Sequence, residues 1–138
     1  MIDFQYIEND KLSNTEDINF WINNIIKEEQ MIIGELVYVL CNDEYLLKKN
    51  IRFLNHNTLT DVITFDYSEK KIISGDILIS TERVVENAKT FNVNYLTELH
   101  RVMVHGLLHL LGYKDKIEKD ANTMRKKENY YLNKFTNN

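Results

Sequence analysis

Residues 102–115 read VMVHGLLHLLGYKD and decide how the chain must fold. From Val102 to Leu111 the segment is apolar nearly all round, and such a helix is normally buried. Gly112 is typical of the residue that ends a helix. We therefore predict a long central helix from Tyr95 to Leu111, around which the other elements pack.

The two histidines inside this apolar run predict a metal site. His105 and His109 are four residues apart, which puts both imidazoles on one face of the helix, about one turn apart. Two ring nitrogens can then converge on one ion at roughly 2.0–2.1 Å each. Asp115 follows the turn at Gly112 and is the predicted third ligand. Two histidines and one carboxylate leave a fourth position open, which is the pattern of a catalytic zinc site.

A lone H-x3-H pair also has a simpler interpretation, as two core histidines with hydrogen-bond partners. Gly106, Gly112 and Asp115 at these offsets favour the metal instead. A glycine inside a helix costs about 1 kcal/mol relative to alanine. Directly after the first histidine, Gly106 would open space beside a metal or let another backbone approach. It also stands where the HExxH zinc peptidases have their general base, which weakens the peptidase hypothesis.

Outward from this helix, hydrophobic periodicity and turn residues predict the remaining elements. The expected strands are 2–7, 35–41, 61–67 and 74–80, with the last two paired as an antiparallel hairpin. The other expected helices are 15–28, 43–54, 81–91 and 117–133. This order favours an α+β fold, in which one mixed sheet of about four strands is packed with five or so helices. The metal site is expected at the end of the central helix.

The composition fits a single metal-dependent hydrolase domain spanning residues 1–138. The one cysteine, Cys41, excludes an intramolecular disulfide, fits a reducing compartment and is expected to be a small buried hydrophobe. We expect a cytoplasmic location, because the sequence shows neither a signal peptide nor an apolar stretch long enough to span a membrane. The net charge of −4 argues against binding nucleic acid through bulk positive charge, but not against a nuclease with a metal and a local basic groove.

Three blocks of the sequence resemble the YbeY family of metal-dependent endoribonucleases, which act in ribosomal RNA maturation. HGLLHLLGYKD (105–115) resembles the family signature H-G-x-L-H-L-x-G-Y-D-H. LNHNTLTDVITF (54–65) resembles R-x-x-D-x-x-T-D-V-L-S-F, and SGDILIS (74–80) resembles G-D-I-x-I-S. The order and spacing of the blocks agree with the family over residues 46–124.

The resemblance implies a single-strand-specific endoribonuclease acting in maturation of the 16S ribosomal RNA 3′ end and in ribosome quality control. It implies one zinc ion per chain, held by His105, His109 and Asp115, with His105 and His109 as the catalytic pair; nickel, cobalt or manganese would also suit these ligands. The implied partners are ribosomal RNA and the ribosome or its small-subunit proteins. The choice between water and the RNA 2′-hydroxyl as nucleophile stays open, as does the oligomeric state.

Three positions depart from the family pattern. Asp115 stands where the family usually has a third histidine, and Asp66 stands where a proline often follows the second block. Leu54 stands where the family usually has an arginine that is expected to contact phosphate. Arg52 and Arg101 are the candidates to replace that arginine.

Two other functions remain as alternatives. In a metallopeptidase-like hydrolase, Glu98, two helical turns before His105, would be the candidate base. In a ribosome-associated binding protein the metal would be structural, and removing it would unfold the domain.

Further polar residues have both functional and structural interpretations. Thr60 and Asp61 either position the metal-binding histidines or form a strand end. His56 is expected on the surface, near enough to approach substrate, and His100 is expected to be structural. A lysine cluster either follows a phosphate backbone or forms a solvated face. Its members are Lys114, Lys116, Lys119, Lys126 and Lys127.

Overall fold

The computed structural model describes residues 1–56 and 58–136, which form a four-stranded sheet packed with five helices. The elements are β1 (Ile2–Tyr6), α1 (Thr15–Glu28), β2 (Ile32–Cys41), α2 (Asp43–Leu54), β3 (Val62–Asp66), β4 (Ile72–Ser80), α3 (Thr81–Phe91), α4 (Tyr95–Leu110) and α5 (Glu118–Thr136). The α+β class and the order of elements predicted from the sequence are confirmed.

The sheet is mixed, with strand order β1-β2-β4-β3. The first three strands in this order run parallel, and β3 pairs antiparallel with β4 at the edge, as the predicted hairpin requires. Tyr38 in β2 is opposite Ile77 in β4, and Ile77 is opposite Thr64 in β3. This register brings Ile77 and Thr64 under the helix that carries the histidines.

Two strands begin earlier than the sequence predicts. Ile32 and Ile33 of β2 pair with Ile72 and Ile73 of β4, and the register shifts between Ile33 and Leu36. Each segment extends the other strand by supplying backbone hydrogen bonds. Local residue preference does not reveal such pairing, because the partner lies some forty residues away.

The main core lies between the sheet and the layer formed by α1, α4 and α5. The buried Tyr38 donates its hydroxyl to the carbonyl of Met103 in α4 (3.0 Å), and Trp21 in α1 donates its indole N–H to the carbonyl of Tyr131 in α5 (2.8 Å). These bonds satisfy polar atoms in an apolar layer; the first ties α4 to the sheet, and the second ties α1 to α5.

A smaller core on the opposite face of the sheet packs against α2. Cys41 is buried there, as predicted, and its thiol donates to the carbonyl of Ile79 (3.3 Å). Burial and the charge of Asp43 raise the pKa of Cys41 to about 12. Within the described part of the chain, no helix is both long and apolar enough to cross a bilayer.

Candidate metal centre

Three side chains from the end of α4 and the loop after it bring their ligand atoms together. Nε2 of His105 lies 3.1 Å from Nε2 of His109. Oδ2 of Asp115 lies 3.3 Å from each of these nitrogens. All three side chains are partly exposed, so the cluster opens to solvent. The structure therefore brings together the three residues that the sequence predicts as ligands, and these three are called the metal cluster below.

The turn that carries Asp115 back over the helix is a Schellman motif. The amide of Tyr113 donates to the carbonyl of Leu108 (3.0 Å), and the amide of Gly112 donates to the carbonyl of His109 (3.1 Å). Gly112 has a φ of 103°, a conformation that residues with a side chain rarely adopt. The glycine thus turns the chain sharply enough for Asp115, three residues later, to face the histidines.

The second ring nitrogen of each histidine lies against a hydrogen-bond acceptor. Nδ1 of His105 lies 2.6 Å from Oε2 of Glu128, and Nδ1 of His109 lies 3.1 Å from the carbonyl oxygen of Tyr113. Because carbonyl and carboxylate oxygens accept, each Nδ1 carries a proton and donates it. In the neutral rings both Nε2 lone pairs therefore point into the cluster, which is the tautomer of a histidine that binds metal through Nε2.

The spacing and charge of this cluster fit a divalent cation. In a tetrahedral site with bonds of roughly 2.0–2.1 Å, the ligand atoms lie about 3.3–3.4 Å apart. The observed separations are 3.1 and 3.3 Å. Three acceptor atoms this close repel one another unless positive charge lies between them. The cluster can hold a metal ion, and two imidazoles with one carboxylate suit several divalent metals.

The environment of His105 is electrostatically negative. Burial lowers the pKa of His105, but the hydrogen bond and charge of Glu128, together with the charges of Asp115 and Asp61, outweigh it and raise the pKa. A field that favours a proton on this ring also favours a cation at the same place.

Gly106 lets α4 lie close against the sheet. A Cβ at this position would lie 2.7 Å from Cγ2 of Ile77 and 3.5 Å from Cγ2 of Thr64. The space that the glycine leaves is thus used by side chains of β4 and β3, rather than by another backbone or by the metal cluster. This packing holds the histidines beside the edge strand.

The metal cluster lines an open cavity of about 460 Å³. The end of α2 and the following loop contribute Leu54 and His56, and β3 contributes its first three residues. Lys116, directly after the aspartate of the cluster, also lines the cavity. One opening thus contains the acceptor cluster, an apolar side chain and a basic side chain.

Neither arginine proposed from the sequence lines this cavity among the residues that the structure describes. Arg101 is paired with Glu98 (2.6 Å) and Glu128 (3.3 Å), so its proposed role as a phosphate contact is wrong. Its guanidinium lines a separate cavity. Arg52 is exposed and lies over the ring of Phe53 (5.1 Å to the centroid).

Glu98, the candidate base of a metallopeptidase, is fully buried. Both of its carboxylate oxygens lie 2.6 Å from Nη2 of Arg101. A carboxylate committed to a guanidinium in this way is not available to accept a proton from a nucleophile. The peptidase alternative therefore loses its candidate base.

Thr60 and Asp61 line the metal cavity but hydrogen-bond elsewhere. Oδ2 of Asp61 accepts from the amide of Asn87 (3.1 Å), and the hydroxyl of Thr60 donates to the carbonyl of Val62 (3.4 Å). Of the two interpretations that the sequence left open for these residues, the structure therefore favours the strand end, since β3 begins at Val62. Asp61 acts on His105 through its charge alone.

The predicted lysine cluster divides into members with different roles. Lys116 lines the cavity, whereas Lys127 pairs with Glu29 (3.1 Å) and lies over the ring of Tyr113. The remaining members are exposed: Lys114, Lys119 and Lys126.

The remaining histidines follow their predictions. His100 is buried, accepts from the amide of Asn14 (3.3 Å) and packs against the rings of Trp21 and Phe135. Burial lowers its pKa, as expected for a structural histidine. His56 is exposed, and it also lines the metal cavity.

Sequence reasoning missed the acidic partner of His105. In the sequence Glu128 follows two lysines and has the pattern of a solvated surface residue, but in the structure only 4% of it is exposed. The available signal was its spacing, since Met124, Glu128 and Tyr131 are separated by four and three residues and form one buried face of α5. A carboxylate on such a face needs a partner.

Comparison with known proteins gives consistent matches over nearly the full length of the chain. The family model described as Endoribonuclease YbeY matches residues 4–136. The chain is 48% identical over 135 residues to the endoribonuclease YbeY of Flavobacterium johnsoniae, covering 98% of this chain and 97% of that protein. It is 50% identical over 136 residues to the endoribonuclease YbeY of Flavobacterium psychrophilum, covering 98% and 96%.

A solved structure has a similar fold. The solution structure of TM1509 from Thermotoga maritima matches with a TM-score of 0.72 and 28% sequence identity, covering 98% of this chain and 89% of that one. The match therefore includes the whole sheet and the helix that carries the histidine pair.

Proposed function

The chain belongs to the YbeY endoribonuclease family, and we propose that residues 1–138 form one metal-dependent hydrolase domain that cleaves ribosomal RNA during its maturation. Family membership confirms the prediction of a nuclease that acts on RNA phosphodiester bonds. The predicted family is likewise confirmed.

The observation that carries the proposal is the convergence of two Nε2 atoms and one carboxylate oxygen inside an open cavity. His105, His109 and Asp115 are the proposed metal ligands, and the two histidines are the proposed catalytic pair. When bound, a divalent ion supplies a Lewis acid for a phosphate oxygen and favours formation of a nucleophile near neutral pH.

The protein's own side chains orient the ligands and receive the substrate. Glu128 and the carbonyl of Tyr113 fix the ring orientation of the two histidines through their Nδ1 protons. We propose that Lys116 and His56, on the lining of the same cavity, take the phosphate contact that Leu54 cannot make. Leu54 then presents an apolar surface beside the substrate.

The size and openness of the cavity support a single-stranded substrate. A cavity of about 460 Å³ can admit a nucleotide of a flexible strand. A double helix keeps its bases stacked and presents its backbone instead. We therefore propose a single-stranded region of ribosomal RNA as the substrate, and the resemblance to the family adds the 3′ end of the 16S RNA as the proposed site.

The finer parts of the proposal follow from the ligand set and the substrate. Zinc is the proposed ion, because two imidazoles and a carboxylate are typical zinc ligands in hydrolases. The ribosome or its small-subunit proteins are the proposed partners, with a role in ribosome quality control. The proposed location is the cytoplasm, where bacterial ribosomal RNA matures.

The proposal is tested by RNA cleavage with the metal-depleted protein before and after zinc is added back. The substrate is an end-labelled RNA hairpin with a single-stranded 3′ tail, and a blunt hairpin of the same stem is the comparison. We expect zinc-dependent cleavage confined to the tail. His109→Ala should cleave about a thousandfold more slowly, because a metal contributes several kcal/mol to the transition state.

His100→Gln is the matched control, since His100 lies on the same helix but packs against Trp21 and Phe135. It should cleave nearly as fast as the wild type once circular dichroism confirms that it is folded. Equal cleavage by wild type and His109→Ala would remove the cluster from the mechanism. Unfolding of the wild type on metal depletion would favour the structural-metal alternative.

A further inference from the structure

Building on the metal site of the proposed function, we infer that Glu128 is a positioning residue whose negative charge, which the pair Arg101–Glu98 leaves unneutralised, sets how tightly the site holds its cation. These three residues are called the triad below; both carboxylates are buried, whereas 32% of the Arg101 side chain is exposed. The triad contains none of the proposed ligands, and none of its members lines the metal cavity among the residues that the structure describes.

The contact between the triad and the site is short and specific. Glu128 reaches from α5 to α4 and is almost completely buried. Its Oε2 lies 2.6 Å from Nδ1 of His105, and its Oε1 lies 3.3 Å from Nη1 of Arg101. One carboxylate thus bridges a proposed ligand and a guanidinium. A hydrogen bond from a ligand histidine to a carboxylate fixes the ring and makes its other nitrogen a better donor to metal.

The charges within the triad do not balance. Arg101 holds the fully buried Glu98 with both Nη2 contacts at 2.6 Å and an Nε contact at 3.1 Å, but it reaches Glu128 only at 3.3 Å. Two carboxylates face one guanidinium, so one negative charge is left over. Because Arg101 is committed more closely to Glu98, the surplus lies on Glu128, next to the His105 ring.

Glu98 keeps the guanidinium of Arg101 from neutralising Glu128, because Glu98 takes the closer contacts. Without Glu98, the guanidinium would neutralise Glu128, and the field at His105 would weaken. Phe91 covers the outer face of the guanidinium (5.2 Å to the ring centroid) and keeps it in place. Glu98 therefore acts on the site from beyond two intervening side chains, without any contact with a ligand.

A purely structural explanation makes a different prediction. If the triad only ties α5 to α4, its substitution lowers the melting temperature and leaves the affinity of the folded protein for metal unchanged. If Glu128 positions and polarises His105, affinity falls as well. The two explanations are separated by measuring affinity and stability on the same variants.

The test is a competition titration of zinc against a chromophoric chelator, using the full chain with Glu128→Gln and Glu98→Gln. Glu128→Gln keeps the size of the side chain and an oxygen that accepts from Nδ1, but it removes the charge. We expect zinc affinity to fall about 10–100-fold for Glu128→Gln. We expect a fall of a few-fold, on the order of threefold to tenfold, for Glu98→Gln, because only the field changes.

Asp43→Asn is the matched control, because it removes a carboxylate that pairs with an arginine (Arg83, 3.2 Å) away from the metal cavity. It should lower the melting temperature of the metal-depleted protein without changing zinc affinity. Histidine NMR spectra give a second readout: Nδ1 of His105 should keep its proton in both variants, and the signal of that proton should move upfield in Glu128→Gln, because a neutral amide oxygen accepts a weaker hydrogen bond than a carboxylate.

Wild-type zinc affinity in both variants, whatever their melting temperatures, would overturn the inference. A wild-type protein that fails to bind zinc would overturn it too. A wild type that binds zinc tightly but cleaves no RNA would contradict the proposed function and leave this inference standing. If Glu128→Gln does not fold, the few-fold effect of Glu98→Gln decides the question.

Discussion

Two polar clusters meet at Tyr113, and they differ in how their charges are matched. In the first, the carboxylate of Glu29 accepts from the hydroxyl of Tyr113 (2.6 Å), from Nζ of Lys127 (3.1 Å) and from the hydroxyl of Tyr131. In the second, the metal cluster, two imidazole nitrogens and a carboxylate oxygen face one another. The first cluster supplies its own donors, whereas the second lacks them once each histidine proton is on Nδ1.

The comparison shows what distinguishes a structural polar cluster from a functional one. Both clusters are partly buried, and both include a carboxylate at the same end of the molecule. Convergence of polar side chains alone therefore does not mark a site. An excess of acceptors over donors does, because that excess must be balanced by something from outside the chain.

The largest expected effect comes from removing one acceptor atom of the metal cluster by substituting Asp115. Asp115→Ala should lose zinc binding and slow RNA cleavage by about a hundredfold to a thousandfold, since one of three ligands is gone. Asp115→His should retain zinc binding, because it restores the third histidine usual in the family. Chelator competition and single-turnover cleavage measure the two quantities. Loss of cleavage in Asp115→Ala with unchanged zinc affinity would contradict the assignment of Asp115 as a ligand.

An intermediate effect is expected from the first cluster, in which the carboxylate of Glu29 has donors from the chain itself. Glu29→Gln should lower the free energy of unfolding by about 1–3 kcal/mol, because three donors lose a charged acceptor. Zinc affinity should stay within a few-fold, about threefold, of the wild type. Glu28→Gln is the neighbouring control, because Glu28 is more exposed than Glu29 and its partner Lys134 is itself exposed. Urea denaturation of the metal-depleted protein measures the difference.

The same substitution should also change the acid dependence of stability. Burial raises the pKa of Glu29, but hydrogen bonds from Tyr113, Tyr131 and Lys127 outweigh it and lower the pKa below 4.5. Its stabilisation is therefore present above the unfolded-state pKa and is lost as the pH falls through the lower, folded-state pKa. The difference in free energy of unfolding between wild type and Glu29→Gln should therefore become smaller below pH 4.5. A gap that widens on acidification would contradict this account.

The smallest effect is expected at Lys116, which places a positively charged donor in the same cavity as the metal cluster. In a His109→Ala background, which slows turnover enough for binding to be measured, Lys116→Met should weaken RNA binding a few-fold. The slope of log affinity against log salt should shrink by about 0.7, the value for one phosphate contact on a single strand. Lys119→Met is the control, since Lys119 is exposed and its side chain is not part of the cavity lining described. Equal salt slopes would remove Lys116 from the RNA-binding surface.

The sequence predicted the parts of the fold and site that depend on local pattern. The amphipathic periods, the histidines four residues apart and the helix end at Gly112 are all short-range signals, and each appears in the structure. The partners of the histidines were not predictable in the same way. Glu128 lies on another helix, and whether a lone acid faces water or a histidine depends on how α5 packs against α4.

Similar reasoning explains why Arg101 and Asp61 contact neither the substrate cavity's phosphate site nor the histidines that their positions in the motifs suggested. Both residues are close in sequence to the motifs, and their residue types suit phosphate or histidine contacts. Instead, Arg101 pairs with Glu98, and Asp61 accepts a hydrogen bond from Asn87. The positions of these two partners depend on tertiary packing. A motif thus predicts which residues are near the chemistry more reliably than it predicts which of them touch it.

The placement of all three proposed ligands within residues 105–115 has a consequence for the denatured chain. A loop this short closes at a low entropic cost, so the unfolded polypeptide keeps a usable chelate of two imidazoles and a carboxylate. Binding to the unfolded state subtracts from the stabilisation that a ligand gives the native state. Zinc should therefore raise the melting temperature by less than its affinity for the folded protein implies, and much of it should stay on the chain through thermal unfolding.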